Sequence, residues 1–172
     1  MENAPVYPLQ CRQGGMIMNK SWVKRLIAWA IPLAVGGLAA LLSGGMDNYK
    51  IINQPPLSPP GWVFPVVWTV LYLLMGEASY RVLVSGGDRG QIRRALTAYG
   101  VQLLLNFLWP LVFFGGQMYL AAFFLLIALW VAIFVTMRLF AKMDETAGDL
   151  LIPYLLWVTF AGYLNLGVFL LN

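Results

Sequence analysis

The sequence contains no histidine and a single cysteine, Cys11, among 172 residues. Without histidine, Ser-His-Asp and Cys-His catalysis are excluded, as are histidine-ligated haem and the usual zinc sites. One cysteine cannot form an intrachain disulfide, so it carries no information about redox compartment. Charge is also scarce. Asp, Glu, Lys and Arg make up 10% of the chain, against about 25% in soluble domains. Hydrophobic residues make up 60%, and the mean hydropathy is +0.74. A soluble domain of this length cannot hide so much apolar side chain, so lipid is the solvent for most of it. The alternating segments of ~10 residues that mark a membrane barrel are absent too. The net charge of +4 and pI of about 9.4 therefore point to basic loops beside a membrane and not to nucleic acid.

What is present is five apolar segments: Trp22 to Leu42, Pro60 or Gly61 to Val84, Ala95 to Phe114, Met118 to Phe140, and Leu150 to Leu171. Each is near the ~20 residues a helix needs to cross the bilayer core. The expected fold is all-α, an integral membrane bundle of five transmembrane helices over residues 22–172, with Pro32 kinking the first. Residues 1–21 form a polar, Pro- and Gly-containing tail, expected to be disordered. Five spans place Arg12, Lys20, Lys24, Arg25, Arg81, Arg89, Arg93, Arg94, Arg138 and Lys142 on one side, with Lys50 alone on the other. By the positive-inside rule the N-terminus is cytoplasmic and the C-terminus lies on the opposite face, with the cell membrane the expected location. No internal repeat suggests an inverted-repeat transporter.

Between the first two segments, "QPPLSPPGW" holds Pro55, Pro56, Pro59 and Pro60. Proline has a fixed φ and no N–H, so this is neither helix interior nor central strand. It reads as a stiff strap whose last prolines start the second helix. Three segments carry stripes at helical spacing. The second has Pro65, Trp68, Tyr72 and Gly76. The third has Gln102, Asn106, Trp109 and Phe113. The fifth has Pro153, Trp157, Ala161, Leu164 and Asn165. Amides in hydrocarbon turn toward other helices, because an unsatisfied polar group there costs several kcal/mol. Trp68, Asn106, Trp109, Trp157 and Asn165 all fall in the membrane half nearest the strap. Such a cluster beneath a stiff loop suits a flat, mostly apolar ligand with a few polar edges, although spacing alone is equally satisfied by core packing. Trp22 and Trp62, at helix ends, read as an interfacial belt, and Trp29 and Trp130 as packing or lipid contacts. Glu77, the one acid deep in a span, pairs most simply with Arg81 at i+4.

The same residues carry a resemblance to the TspO/MBR family, the translocator, peripheral benzodiazepine-receptor or tryptophan-rich sensory proteins. It covers about residues 26–172. "PPGWVFPVVWTVLYLLMGEASY" resembles the family's first loop and second helix, "QLLLNFLWPLVFFG" its third helix, and "LLIPYLLWVTFAGYLN" its fifth. The chain departs from the family pattern at Asn48-Tyr49 and Gln54-Pro55-Pro56-Leu57, where a Trp and a cation are missing from the strap. The resemblance implies a five-helix bundle, often a homodimer, with a cavity under the first loop that binds porphyrins. It implies that Trp68, Asn106, Trp109, Phe113, Trp157, Ala161 and Leu164 line the cavity, and that Tyr49, Pro55, Pro59 and Pro60 belong to its lid. The expected function is a porphyrin-binding receptor, sensor or carrier. No cofactor or metal is required, a protoporphyrin or haem-like tetrapyrrole is the ligand, and membrane lipid is the surrounding partner. The alternatives are light-dependent porphyrin breakdown, with Trp68 and Trp157 beside the photosensitiser, and small-molecule transport.

Overall fold

The computed structural model describes residues 20–44, 49 and 52–172. Residues 1–19 of the expected N-terminal tail, with Cys11 and Arg12, and also Asn48 and Lys50, fall outside the described residues. Five long helices are present and there is no strand among the described residues. They are α1 (Lys20–Leu42), α2 (Val63–Val84), α3 (Arg89–Pro110), α4 (Tyr119–Ala141) and α6 (Ile152–Leu171). A short helix, α5 (Glu145–Asp149), sits between the last two. With spans long and apolar enough to cross a bilayer, the chain is an integral membrane five-helix protein.

Helix boundaries follow local chemistry. α1 starts two residues before the expected Trp22 and continues through buried Pro32. α2 starts at Val63 because Pro60 and Gly61 form a turn in which the Val63 N–H donates to the Pro60 carbonyl at 2.9 Å. α3 begins at Arg89, before its apolar stretch. The Asp88 carboxylate accepts from the Gly90 and Gln91 N–H groups at 2.8 and 3.2 Å and so caps the helix. After Pro110 the chain widens into a π-turn, Leu111–Gly115, closed by the Gly116 N–H on the Leu111 carbonyl at 2.8 Å. Asp144 caps α5 through the Ala147 N–H at 2.8 Å. Pro153 occupies the first turn of α6, where its missing N–H costs little.

α1 packs against α2 and α3, and α4 against α3 and α6. The buried core runs through Met75, Ala78 and Val82 of α2, Leu129, Ile133 and Phe140 of α4, and Tyr154 of α6. Gly76 sets the α1–α2 distance. A Cβ there would stand 2.7 Å from the Trp29 Cα and 2.8 Å from the Ala28 carbonyl oxygen. One end of the bundle carries the strap, the 116–118 turn and the end of α6. The other carries the 85–88 and 142–144 loops.

At that second end the structure revises the reading of Glu77. Glu77 is held chiefly by Arg25 of α1, with Nη2 and Nε 2.7 and 2.8 Å from its two oxygens. Arg81 is more distant at 3.6 Å and reaches Asp144 at 3.3 Å. A bidentate guanidinium from a neighbouring helix has better geometry than the same-helix partner. Trp29 and Trp130, expected as packing or lipid contacts, make polar contacts as well. The Trp29 indole N–H donates to Glu77 at 3.2 Å, and that of Trp130 donates to the Thr159 hydroxyl at 2.9 Å.

A candidate ligand cavity under the strap

A cavity of about 300 Å³ lies between α1, α2 and α3 at the strap end. It exists because α1 offers small side chains there: Gly36, Gly37, Ala39 and Ala40. α2 supplies Phe64, Pro65, Trp68 and Tyr72, and α3 supplies Asn106 and Trp109. Trp68 stacks on Tyr72 with ring centroids 5.5 Å apart and meets Tyr154 edge-on at 6.0 Å.

Asn106 is the polar centre. Its Oδ1 accepts from the Tyr72 hydroxyl at 2.8 Å, and its Nδ2 donates to the Tyr154 hydroxyl at 2.8 Å. A primary amide carries two donors and two acceptor lone pairs. One N–H and one lone pair of Asn106 are therefore not used by these two bonds. Trp109 is anchored through its indole N–H to Asn165 Oδ1 at 3.1 Å, and Asn165 in turn donates to the Tyr119 carbonyl at 2.7 Å. With the N–H engaged in the core, the ring is left as an apolar wall. The described lining contains no Asp, Glu, Lys or Arg.

The expected site residues divide. Trp68, Asn106, Trp109 and Tyr49 line the cavity. Phe113, Trp157, Ala161 and Leu164 do not. Phe113 is buried behind Trp109, stacked on it at 5.2 Å and wedged against Phe114 and Tyr119. Trp157 meets the back of the wall, edge-on to Phe64 at 6.0 Å, and packs on Phe160 at 5.7 Å. Ala161 and Leu164 are buried on α6, whose main packing partner is α4. Of the two tryptophans singled out for photochemistry, only Trp68 faces the cavity. Phe64, Tyr72 and the α1 glycines were absent from the expected set. Tyr72 sits one turn from Trp68 on an already visible stripe, and a Gly36-Gly37 pair inside a span marks space or close approach.

The strap is tied down by side chains. Tyr49 donates to the Pro59 carbonyl at 2.9 Å and meets Phe64 edge-on at 5.0 Å. Burial pushes the Tyr49 hydroxyl above its ordinary pKa, opposed by a hydrogen bond with Ser58. Pro55 is buried against Gly167 of α6, where a Cβ would stand 2.5 Å from the ring. The Tyr163 hydroxyl donates to the Pro56 carbonyl at 2.9 Å. Asn53 and Asn172 exchange two hydrogen bonds of 3.0 Å. Pro55, Pro59 and Pro60 are thus strap framework, and Tyr49 is the described strap residue that faces the cavity.

A family model described as the TspO/MBR family matches residues 28–171. The chain is 36% identical over 157 residues to "Tryptophan-rich protein TspO" of Chlorobaculum tepidum, covering 90% of this chain and 99% of that one. It is 39% identical over 155 residues to "Tryptophan-rich sensory protein" of Cereibacter sphaeroides, covering 90% and 95%. It is 35% identical over 152 residues to "Translocator protein" of Bos taurus, covering 86% and 89%.

Proposed function

Because the chain belongs to the TspO/MBR family, we propose that it is a membrane-embedded receptor or carrier for a flat, largely apolar tetrapyrrole, held between Trp68 and Trp109 beneath the strap. The observation that carries this reading is the cavity itself, with aromatic walls and one buried amide keeping spare hydrogen-bonding capacity. Planar rings gain from aromatic contact, and a single polar anchor fixes orientation. A cavity of about 300 Å³ is at the low end of ligand pockets, which run from about 300 to 1,000 Å³. A tetrapyrrole therefore enlarges it on binding or projects part of its edge beyond it. Because no ionised side chain is among the described lining residues, the ligand's carboxylates are expected outside the cavity. Porphyrin titration followed by Trp fluorescence tests the reading. Trp68→Leu is expected to weaken binding at least about tenfold, or about 1.4 kcal/mol, and equal affinity in a folded Trp68→Leu protein would refute the site. We also propose that the N-terminus is cytoplasmic, on the strength of the basic residues at the end opposite the strap.

A further inference from the structure

Among the described residues, the cavity has a side covered by neither a helix nor the strap. Its outer rim consists of Gly37 and Ala40 on α1 and Pro65 and Thr69 on α2, and all four are exposed. The α1 residues behind them, Ala39 and Ser43, are 1% and 2% exposed, so the inner side of α1 is closed. Lower down, α1 and α2 are in contact: Gly76 meets the Ala28–Trp29 backbone, and the Tyr72 ring fills the space over Gly36. One residue on, no atom stands within 4 Å of where a Gly37 Cβ would be. Gly37 is rotated by about 100° from Gly36 and so faces outward; the two helices are in contact at and below Tyr72, and above it exposed residues of both helices border the cavity.

Depth decides what that border opens to. Trp62, at the start of α2, is 69% exposed and marks the interface in the way tryptophan belts do. Thr69 lies seven residues further, about 10 Å along the helix axis, inside the hydrocarbon. The Thr69 hydroxyl donates to the Pro65 carbonyl at 2.7 Å, so the rim presents no unsatisfied donor to a passing apolar molecule. The strap end, by contrast, is held to α6 through Pro55, Tyr163 and the Asn53–Asn172 pair.

We propose that this α1–α2 border is a lateral portal, through which a flat, lipid-dissolved ligand enters the cavity from the bilayer rather than from water through the strap. The proposal rests on the cavity being the ligand site, as above. It names the ligand's phase, namely a molecule already partitioned into membrane.

A thiol placed in the cavity reports the route without assuming the ligand. In a Cys11→Ser background, Ala39→Cys is reconstituted into vesicles of mixed orientation. It is reacted with pyrenyl maleimide, which dissolves in lipid, or with a charged, impermeant maleimide, each rate being normalised to exposed Gln54→Cys. The lipid-soluble reagent is expected to react at least about tenfold faster relative to the reference. Gly37→Trp, which has open space for its ring, is expected to slow it about tenfold, and Asn53→Ala, which loosens the strap, to leave it unchanged. Ser43→Cys, also buried in the cavity lining, serves the same purpose if Ala39→Cys fails to fold. Equal rates for the two reagents, indifference to Gly37→Trp, or acceleration by Asn53→Ala would each overturn the portal. Protection of the Ala39→Cys thiol by protoporphyrin is scored separately. Its absence, with the labelling rates as expected, would remove the tetrapyrrole reading and leave the portal standing.

Discussion

Asn106 joins three helices through one side chain, and that makes it the residue with the largest expected effect. Asn106→Leu leaves the Tyr72 and Tyr154 hydroxyls without the bonds they make now. Each buried orphan costs about 1–3 kcal/mol. The variant is expected to lose several degrees of thermal stability and most porphyrin affinity. Tyr72→Phe removes one bond and leaves Asn106 only one acceptor to satisfy, so it is expected to lose less of both. A thermal melt and a porphyrin titration on the same samples give the comparison. Ala161 behaves differently. It is 6% exposed and outside the cavity, so Ala161→Phe overpacks α6 and is expected to cost about 1–3 kcal/mol while porphyrin affinity in the folded fraction stays unchanged. Weakened affinity with an unchanged melting temperature would place Ala161 at the ligand instead.

Helices in lipid gain nothing from burying apolar surface against one another, so polar contacts and close packing hold them. α1 shows both. Gly76 lets its backbone approach α2, and Arg25 clasps Glu77 bidentately while α2 reaches α5 through Arg81 and Asp144. Arg25→Ala is therefore expected to lower the melting temperature more than Arg81→Ala, because it removes both short bonds to Glu77 and leaves the 3.6 Å contact. The reverse order would mean that the same-helix pair dominates. The strap is an element too, and its pH response has a definite sign. The Tyr49 hydroxyl has a raised pKa in the folded chain, so its contribution is intact below the unfolded value of about 10 and is lost as pH rises through the folded value. The melting temperature of the wild type is expected to fall more steeply than that of Tyr49→Phe in that alkaline window.

Across the whole molecule the five spans put the strap and the 85–88 loop at opposite ends. In a Cys11→Ser background, Ser58→Cys is expected to label from outside intact cells and Gly87→Cys only after permeabilisation. Labelling of both from one side would contradict the odd number of spans, and the reversed pattern would contradict the proposed orientation alone.

The amino-acid sequence by itself determined the class and the spans. Every backbone polar group in hydrocarbon must be paired within its own helix, so length and apolar content suffice to mark five helices. It also determined which face of α3 turns inward, because Gln102, Asn106 and Trp109 recur at helical spacing and amides avoid lipid. Only the tertiary structure decided which helices are neighbours, since a stripe records that a face is covered but not by what. That is why Trp157, Ala161 and Leu164, on a face as legible as that of α3, do not line the cavity, Trp157 meeting Phe64 from behind. Glu77 found its main partner on α1 for the same reason. The cavity wall on α1 had no stripe to announce it: its residues are small and apolar, and what they contribute is the volume they leave empty beside the large side chains of α2 and α3.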